Sequence, residues 1–276
     1  MEQNNTLYAV QKQIEERLAC VAYEEANQQA RLILCEALEL DMLEIIANRQ
    51  RILNSEELLK IEFMVKRRES GEPLQYIFGS WEFMGLDFNV RPGVLIPRQD
   101  TEILVEKALF IAREITAKNA LDMCTGSGCI GVSLMVYGGF SVDLADISDE
   151  CLKIAQNNAK RNNVTPNAMI KSDLFNSINT SYDIITINPP YLTKTDMENL
   201  QREVRYEPAL ALYGGDDGLD FYRRINQEYK KHLNPGGALL MEFGEGQGNA
   251  IREIFGGGEI VCDLTHKERV IAVYSR

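Results

Sequence analysis

Apolar positions recur every three to four residues over roughly the first seventy of the chain. Leu7, Val10, Ile14, Leu18 and Val21 predict one amphipathic helix, and the stretch from Glu24 to Leu38 a second. Asp41 reads as the cap of a short third helix, and Ser55 as the cap of a fourth with Glu56 and Glu57 in its first turn. The period changes after Ser70-Gly71-Glu72-Pro73. Three short β-type runs follow, at 74–78, 81–84 and 86–90, separated by Gly79-Ser80 and by Gly85. Asp100 or Thr101 then caps a helix that carries Leu104, Ala108 and Ile111 on one face. From Ala120 onward, strand and helix patterns alternate. Strands are predicted at 120–123, 140–145, 167–170, 182–187 and 238–243, with helices at 129–136, after Ser148, and at 218–232. Segments 259–264 and 269–274 read as a closing hairpin.

Alternation of this kind predicts an α/β fold with a doubly wound, mostly parallel sheet. The expected organisation is a helical bundle over residues 1–72 that binds a partner, a β-hairpin linker over 73–92, and the sheet domain over 93–276. Trp81, the single tryptophan, reads as a packing anchor of the hairpin.

The stretch Tyr182-Asp183-Ile184-Ile185-Thr186-Ile187-Asn188-Pro189-Pro190-Tyr191 stands out. Its first half is a buried strand, and the two prolines stop it, since neither can donate to a ladder. Pro189 also holds Asn188 in an extended conformation. A stiff polar elbow therefore ends a central strand, where open α/β sheets bind ligands. The Asn188 side-chain carbonyl and the Pro189 backbone carbonyl are two acceptors that together can hold both hydrogens of a planar –NH2 group. Tyr191 adds an aromatic face against which a flat amide or base can pack.

A second constellation lies upstream. Gly126 and Gly128, in Cys124-Thr125-Gly126-Ser127-Gly128, follow a strand and open a helix, the context in which backbone approaches a nucleotide closely. Asp146 ends the next strand, twenty residues on, where a carboxylate can take ribose hydroxyls. This much fits NAD as well as S-adenosylmethionine. Cys129-Ile130-Gly131 departs from the dinucleotide fingerprint, and a carboxylate at Asp122 suits a cationic, amino-acid-bearing cofactor better than a pyrophosphate.

Composition narrows the field. Hydrophobic residues at 45% and charged residues at 25% of 276 are ordinary for a soluble globular protein. Met1 to Arg17 lacks the basic and apolar regions of a signal peptide, and no run is long enough to cross a bilayer, so a cytoplasmic location is expected. Six scattered cysteines without a C-x-x-C pair, and only two histidines, argue against a structural zinc site and for thiols as small core residues; no metal is expected. Residues 1–92 carry 10 basic and 16 acidic side chains and the remainder 19 and 25, so each part is near −6. Neither has the basic surplus on which tight duplex binding relies. Lys66-Arg67-Arg68 reads as the solvated end of a helix, where cations suit the dipole. Arg98 is open between a ligand contact and a surface ion pair.

Val94-Leu95-Ile96-Pro97-Arg98, the stretch 122–128, Asp146, Ser172-Asp173-Leu174-Phe175 and Asn188-Pro189-Pro190-Tyr191 occur together and in this order. Taken together they closely resemble the PrmC/HemK family of release-factor glutamine N5-methyltransferases, over nearly the whole chain. The Asn-Pro-Pro-Tyr motif alone is shared with DNA adenine-N6 and several RNA and protein methyltransferases; the Leu-Ile-Pro-Arg segment leading to Thr101-Glu102 is far more specific. Gln99 stands where the family often has a second proline, and Leu174 where some members have an aromatic residue.

The resemblance implies a Rossmann-like class I methyltransferase sheet behind a small N-terminal helical domain. It implies that Cys124, Thr125, Gly126, Ser127, Gly128 and Asp146 hold S-adenosylmethionine, and that Asp173 or Leu174 lines the adenine pocket. Asn188, Pro189, Pro190 and Tyr191 would receive the target glutamine, with Asn188 also beside the cofactor and Asn188, Pro189 and Tyr191 catalytic. The implied reaction methylates the glutamine of the Gly-Gly-Gln loop of a peptide chain release factor and leaves S-adenosylhomocysteine. A monomer that binds neither nucleic acid nor membrane is expected. The rival reading is an adenine-N6 methyltransferase of nucleic acid, with the base flipped out against Tyr191. A non-catalytic cofactor-binding or ribosome-associated module is disfavoured by the intact elbow.

Overall fold

The computed structural model describes residues 5–22, 24–263 and 265–275. These form two compact units. One comprises the described residues up to Gly79 together with Arg202–Tyr206; the other runs over Ser80–Gln201 and from Glu207 onward.

The first unit is helical: α1 (Leu7–Leu18), α2 (Ala26–Leu38), α3 (Met42–Ala47), α4 (Ser55–Glu69) and α5 (Leu74–Phe78). The periodic apolar positions of α1 and α2 meet Ile61, Val65, Leu74 and Ile77 in one core. Asp41 caps α3 as expected. Helix α4 begins at Ser55, but its cap is Asn54, whose side chain accepts the Glu57 N–H at 3.0 Å while the Glu57 carboxylate accepts the Asn54 N–H at 2.9 Å. Segment 74–78, expected as a strand, is instead a helical turn. Pro73 precedes it, Gly79 ends it at φ +81°, and Leu74 and Ile77, three apart, both face the helical core. Short apolar runs of this length do not distinguish the two periods. The basic cluster forms the last turn of α4 as expected, but it is not solvated throughout. Arg68 is only 1% exposed, with its Nε donating to the Gln29 side chain at 2.8 Å, while Arg67 donates to Glu72.

The second unit opens with the hairpin β1 (Ser80–Phe83) and β2 (Leu86–Asn89). Trp81 is half-buried opposite Phe88; the anchors are Phe83 and Phe88, both buried and in edge contact at 6.1 Å. There follow α6 (Glu102–Ile115), β3 (Asn119–Met123), α7 (Cys129–Gly138), β4 (Ser141–Asp146), α8 (Asp149–Arg161), β5 (Ala168–Lys171) and β6 (Tyr182–Ile187). The chain continues through α9 (Lys194–Glu198), α10 (Asp220–Glu228), β7 (Leu233–Glu242), α11 (Gly248–Phe255), β8 (Glu259–Cys262) and β9 (Glu268–Tyr274). The helix expected at 218–232 is shorter, with a 3-10 turn over its last residues. The first closing strand ends at Cys262; Leu264, expected in it, lies outside the described residues.

Seven strands form one sheet in the order β5-β4-β3-β6-β7-β9-β8, parallel from β5 to β7, with β9 antiparallel to both its neighbours. Side chains alternate between its faces. Ala120, Ile184, Ala238 and Leu240 join α6, α7 and α8 on one side; Leu121, Ile185, Leu239 and Met241 join α10 and α11 on the other. The strand order reverses between β3 and β6. Connections leave in opposite directions there, opening a crevice at the carboxyl ends of the strands. Among the described residues no helix is long and apolar enough to cross a membrane.

Candidate active site

The crevice at that reversal is lined from both constellations. From the β3–α7 turn come Cys124, Thr125, Gly126 and Ser127; from the end of β4, Asp146; from the loop after β5, Asp173 and Leu174; from the elbow after β6, Asn188 and Pro190. Leu95, Ile96, Pro97 and Arg98 close another side. Pro189 is buried outside this lining, and Tyr191 packs against the apolar cluster beneath the sheet.

The glycine turn is bare backbone. At Gly126 (φ +54°) an added Cβ would meet only the Cys124 carbonyl oxygen, at 4.0 Å, so the space above it is open to a ligand. Gly128 has a different reason to be glycine: a Cβ there would sit 2.9 Å from the Ala155 Cβ on α8. Asp146 accepts the Gly126 N–H with one carboxylate oxygen and the Ser148 N–H with the other, both at 2.9 Å. Burial outweighs these bonds and pushes its carboxyl above the ordinary range. The carboxylate retains lone pairs for further donors. Beneath the turn, buried Asn158 of α8 donates to the Ser127 carbonyl at 2.8 Å and accepts the Asn89 N–H at 2.8 Å, tying the turn to the hairpin.

Asp122 does not reach the crevice. It is 0% exposed, and its carboxylate accepts from the Thr125 hydroxyl at 2.5 Å, the Gly131 N–H at 3.0 Å and the Thr186 hydroxyl at 3.0 Å. The expectation that it faces a cationic cofactor is therefore corrected. It braces the turn against β6 and α7 from inside the sheet. Burial raises its carboxyl to about 7 despite those three donors. Asp173 accepts from the Arg224 guanidinium at 2.7 Å. Leu174 is buried with φ +48°, a left-handed backbone that turns the chain at the crevice wall. Arg98 resolves to an ion pair: its guanidinium meets the buried Glu207, whose second oxygen accepts the Ile96 N–H at 3.0 Å. This pins the 94–98 segment at the rim.

The elbow holds two groups that motif reading missed. The Asn188 amide nitrogen donates to the Glu242 carboxylate at 3.0 Å and lies 3.5 Å from the Thr101 hydroxyl. Glu242 ends β7 and is 3% exposed; its only sequence signal is an acid interrupting the apolar run 238–243. The other group is the loop Gly214-Gly215-Asp216-Asp217-Gly218. A Cβ at Gly214 would come within 2.6 Å of the Pro190 carbonyl oxygen, and one at Gly218 within 2.3 Å of the Tyr191 carbonyl oxygen. Gln247 also donates to that Tyr191 carbonyl, at 3.0 Å. The Tyr191 hydroxyl titrates well above the ordinary tyrosine range, chiefly through burial. Among the described residues, no group of three or more His, Cys, Asp or Glu side chains is arranged to hold a metal ion.

Fold and site together define a Rossmann-like methyltransferase of class I. Solved structures agree on the fold. A methyltransferase from Pyrococcus furiosus matches with a TM-score of 0.51 at 18% identity, over 70% of this chain and 90% of that one. A T. thermophilus 16S rRNA N2 G1207 methyltransferase, in complex with AdoMet and guanosine, matches with a TM-score of 0.52 at 17% identity, over 71% and 50%. Residues 9–79 match the family described as PrmC N-terminal domain, and residues 99–205 the methyltransferase small domain. The release factor glutamine methyltransferase of Geobacter sulfurreducens is 43% identical, over 86% of this chain and 84% of that protein. That of Nitratidesulfovibrio vulgaris is 37% identical over 98% and 93%. The chain belongs to the release factor glutamine methyltransferase family.

Proposed function

We propose that the protein transfers a methyl group from S-adenosylmethionine to the side-chain amide nitrogen, N5, of the glutamine in the Gly-Gly-Gln motif of peptide chain release factors. The observation that carries this is a single crevice lined by both the bare Gly126 backbone with Asp146 and the Asn188 elbow. Family membership supplies the substrate class. The same reading puts the protein in the cytoplasm as a monomer with no direct nucleic-acid contact.

The residues present fit the cofactor. Asp146 offers lone pairs to ribose hydroxyls, the 124–128 turn offers open backbone, and Asp173 with Leu174 would flank the base. When bound, the cofactor supplies an electrophilic sulfonium methyl, and S-adenosylhomocysteine remains. An amide nitrogen is a poor nucleophile because its lone pair is delocalised, so the elbow's work is positioning. Asn188 Oδ1 and the Pro189 carbonyl accept the two glutamine N–H bonds and turn the nitrogen toward the methyl. Orientation of this kind supplies roughly 7–11 kcal/mol in favourable cases. No general-base histidine is required, since the methylated nitrogen is cationic and loses its proton readily.

Methyl transfer from labelled S-adenosylmethionine tests this, with a purified release factor, its Gly-Gly-Gln→Gly-Gly-Ala variant and adenine-containing DNA and RNA as acceptors. Label is expected on the unaltered factor alone, and Asn188→Ala should lower the rate about 100-fold or more. Label on nucleic acid, or on both factors equally, overturns the reading.

A further inference from the structure

Asn188 can serve as an acceptor only if its amide is turned the right way round. The two ends of an asparagine amide are nearly isosteric, and a 180° rotation would present donors to the incoming glutamine instead of the oxygen. What fixes the orientation is the carboxylate behind it. Glu242, brought to the elbow by the parallel pairing of β6 with β7, accepts from Asn188 Nδ2 at 3.0 Å. The Thr101 hydroxyl stands 3.5 Å from the same nitrogen and favours the ionised form of Glu242. An ionised carboxylate accepts and cannot donate, so it tolerates only the nitrogen end. Among the described residues no donor is bonded to Asn188 Oδ1.

We propose, on the reading given above, that Glu242 is a positioning residue of the transfer step: with Thr101 it locks the Asn188 amide with its oxygen toward the target glutamine. The lock depends on ionisation. A protonated carboxyl both donates and accepts, so it holds either end of the amide and the orientation is no longer selected. The groups facing Glu242 are Asp100, which disfavours its charge, Arg98 and Arg269, which favour it, and the neutral Tyr191, Tyr222 and Cys129. Burial prevails over the two guanidinium groups, and the carboxyl is raised to about 7. The lock therefore opens as pH falls through about 7.

The test is kinetic and uses the full-length enzyme with a release factor as acceptor. Failure of wild-type enzyme to label the factor would overturn the reading of function itself. Given labelling, wild-type kcat should rise with pH through an acid limb near 7. Glu242→Gln should lower kcat about 100-fold at pH 8, abolish the acid limb, and leave the cofactor KM within about threefold. The decisive variant is the exchanged pair Asn188→Asp/Glu242→Gln. In that pair the amide introduced on β7 donates to one oxygen of the carboxylate introduced at the elbow and leaves the other oxygen facing the substrate. Its kcat should therefore exceed that of either single variant by at least about tenfold. Thr101→Val covers the case in which Glu242→Gln does not fold: loss of the hydroxyl that favours the ionised carboxylate should move the acid limb to higher pH. Wild-type kcat or a retained acid limb in Glu242→Gln, an exchanged pair no faster than the singles, or an unmoved limb in Thr101→Val would each overturn the role.

Discussion

Two aspartates at the ends of neighbouring strands show how little the residue type says until its surroundings are known. Asp122 and Asp146 both look like ligand acids in the sequence. Asp122 commits its lone pairs to Thr125, Gly131 and Thr186 inside the sheet, whereas Asp146 lines the crevice with one backbone donor on each oxygen. Of the two, only Asp146 has acceptor capacity turned to the crevice. Charged hydrogen bonds of the kind it would make to ribose hydroxyls contribute about 1.5–3 kcal/mol. Asp146→Asn, which keeps one acceptor oxygen, should therefore weaken S-adenosylmethionine binding roughly tenfold or more. Isothermal calorimetry measures this directly, and an unchanged affinity would remove Asp146 from the cofactor site.

Elements were legible where the apolar period or a flanking turn was distinct. The strand 182–187 is found over the residues its apolar run predicts, and α1 follows its periodic positions. The five-residue run 74–78 was ambiguous because one helical turn and one short strand share the same apolar count. The glycine loop 214–218 carried no periodic signal at all, yet it holds the elbow from behind. Gly218 and Gly236 make a matched pair for testing this. Both have left-handed backbones, φ +74° and +78°, but a Cβ at Gly218 would clash with the Tyr191 carbonyl oxygen at 2.3 Å, while at Gly236 nothing lies within 4 Å. Gly236→Ala should cost about 1–2 kcal/mol of stability through backbone strain and leave methyl transfer intact. Gly218→Ala adds a clash with fixed backbone and should cost about 1–3 kcal/mol more, with a fall in kcat. Urea denaturation beside the transfer assay compares them. Equal effects would mean the loop does not buttress the elbow.

Over the whole molecule, buried acids set an unusual pH response. The Asp122 carboxyl is raised by burial to about 7, above the value near 4 that it has in the unfolded chain. Between those values the native state holds more protons than the unfolded one, so stability falls as pH rises through that window. Asp122→Asn removes this contribution. Its cost in urea should be largest at pH 5 and shrink by about 3 kcal/mol by pH 8; a cost that stays constant would mean that Asp122 ionises at its ordinary value. Neighbouring residues suffice to specify the alternation of strands and helices, the glycine turn and the proline elbow, because periodicity and backbone restriction are local properties. Folding is what selects the acids that face the crevice, pairs Arg98 with Glu207, and sets Glu242 and Thr101 against Asn188. Those partners lie 109, 54 and 87 positions apart in the chain, and long-range pairing such as that of β6 with β7 is what brings them together.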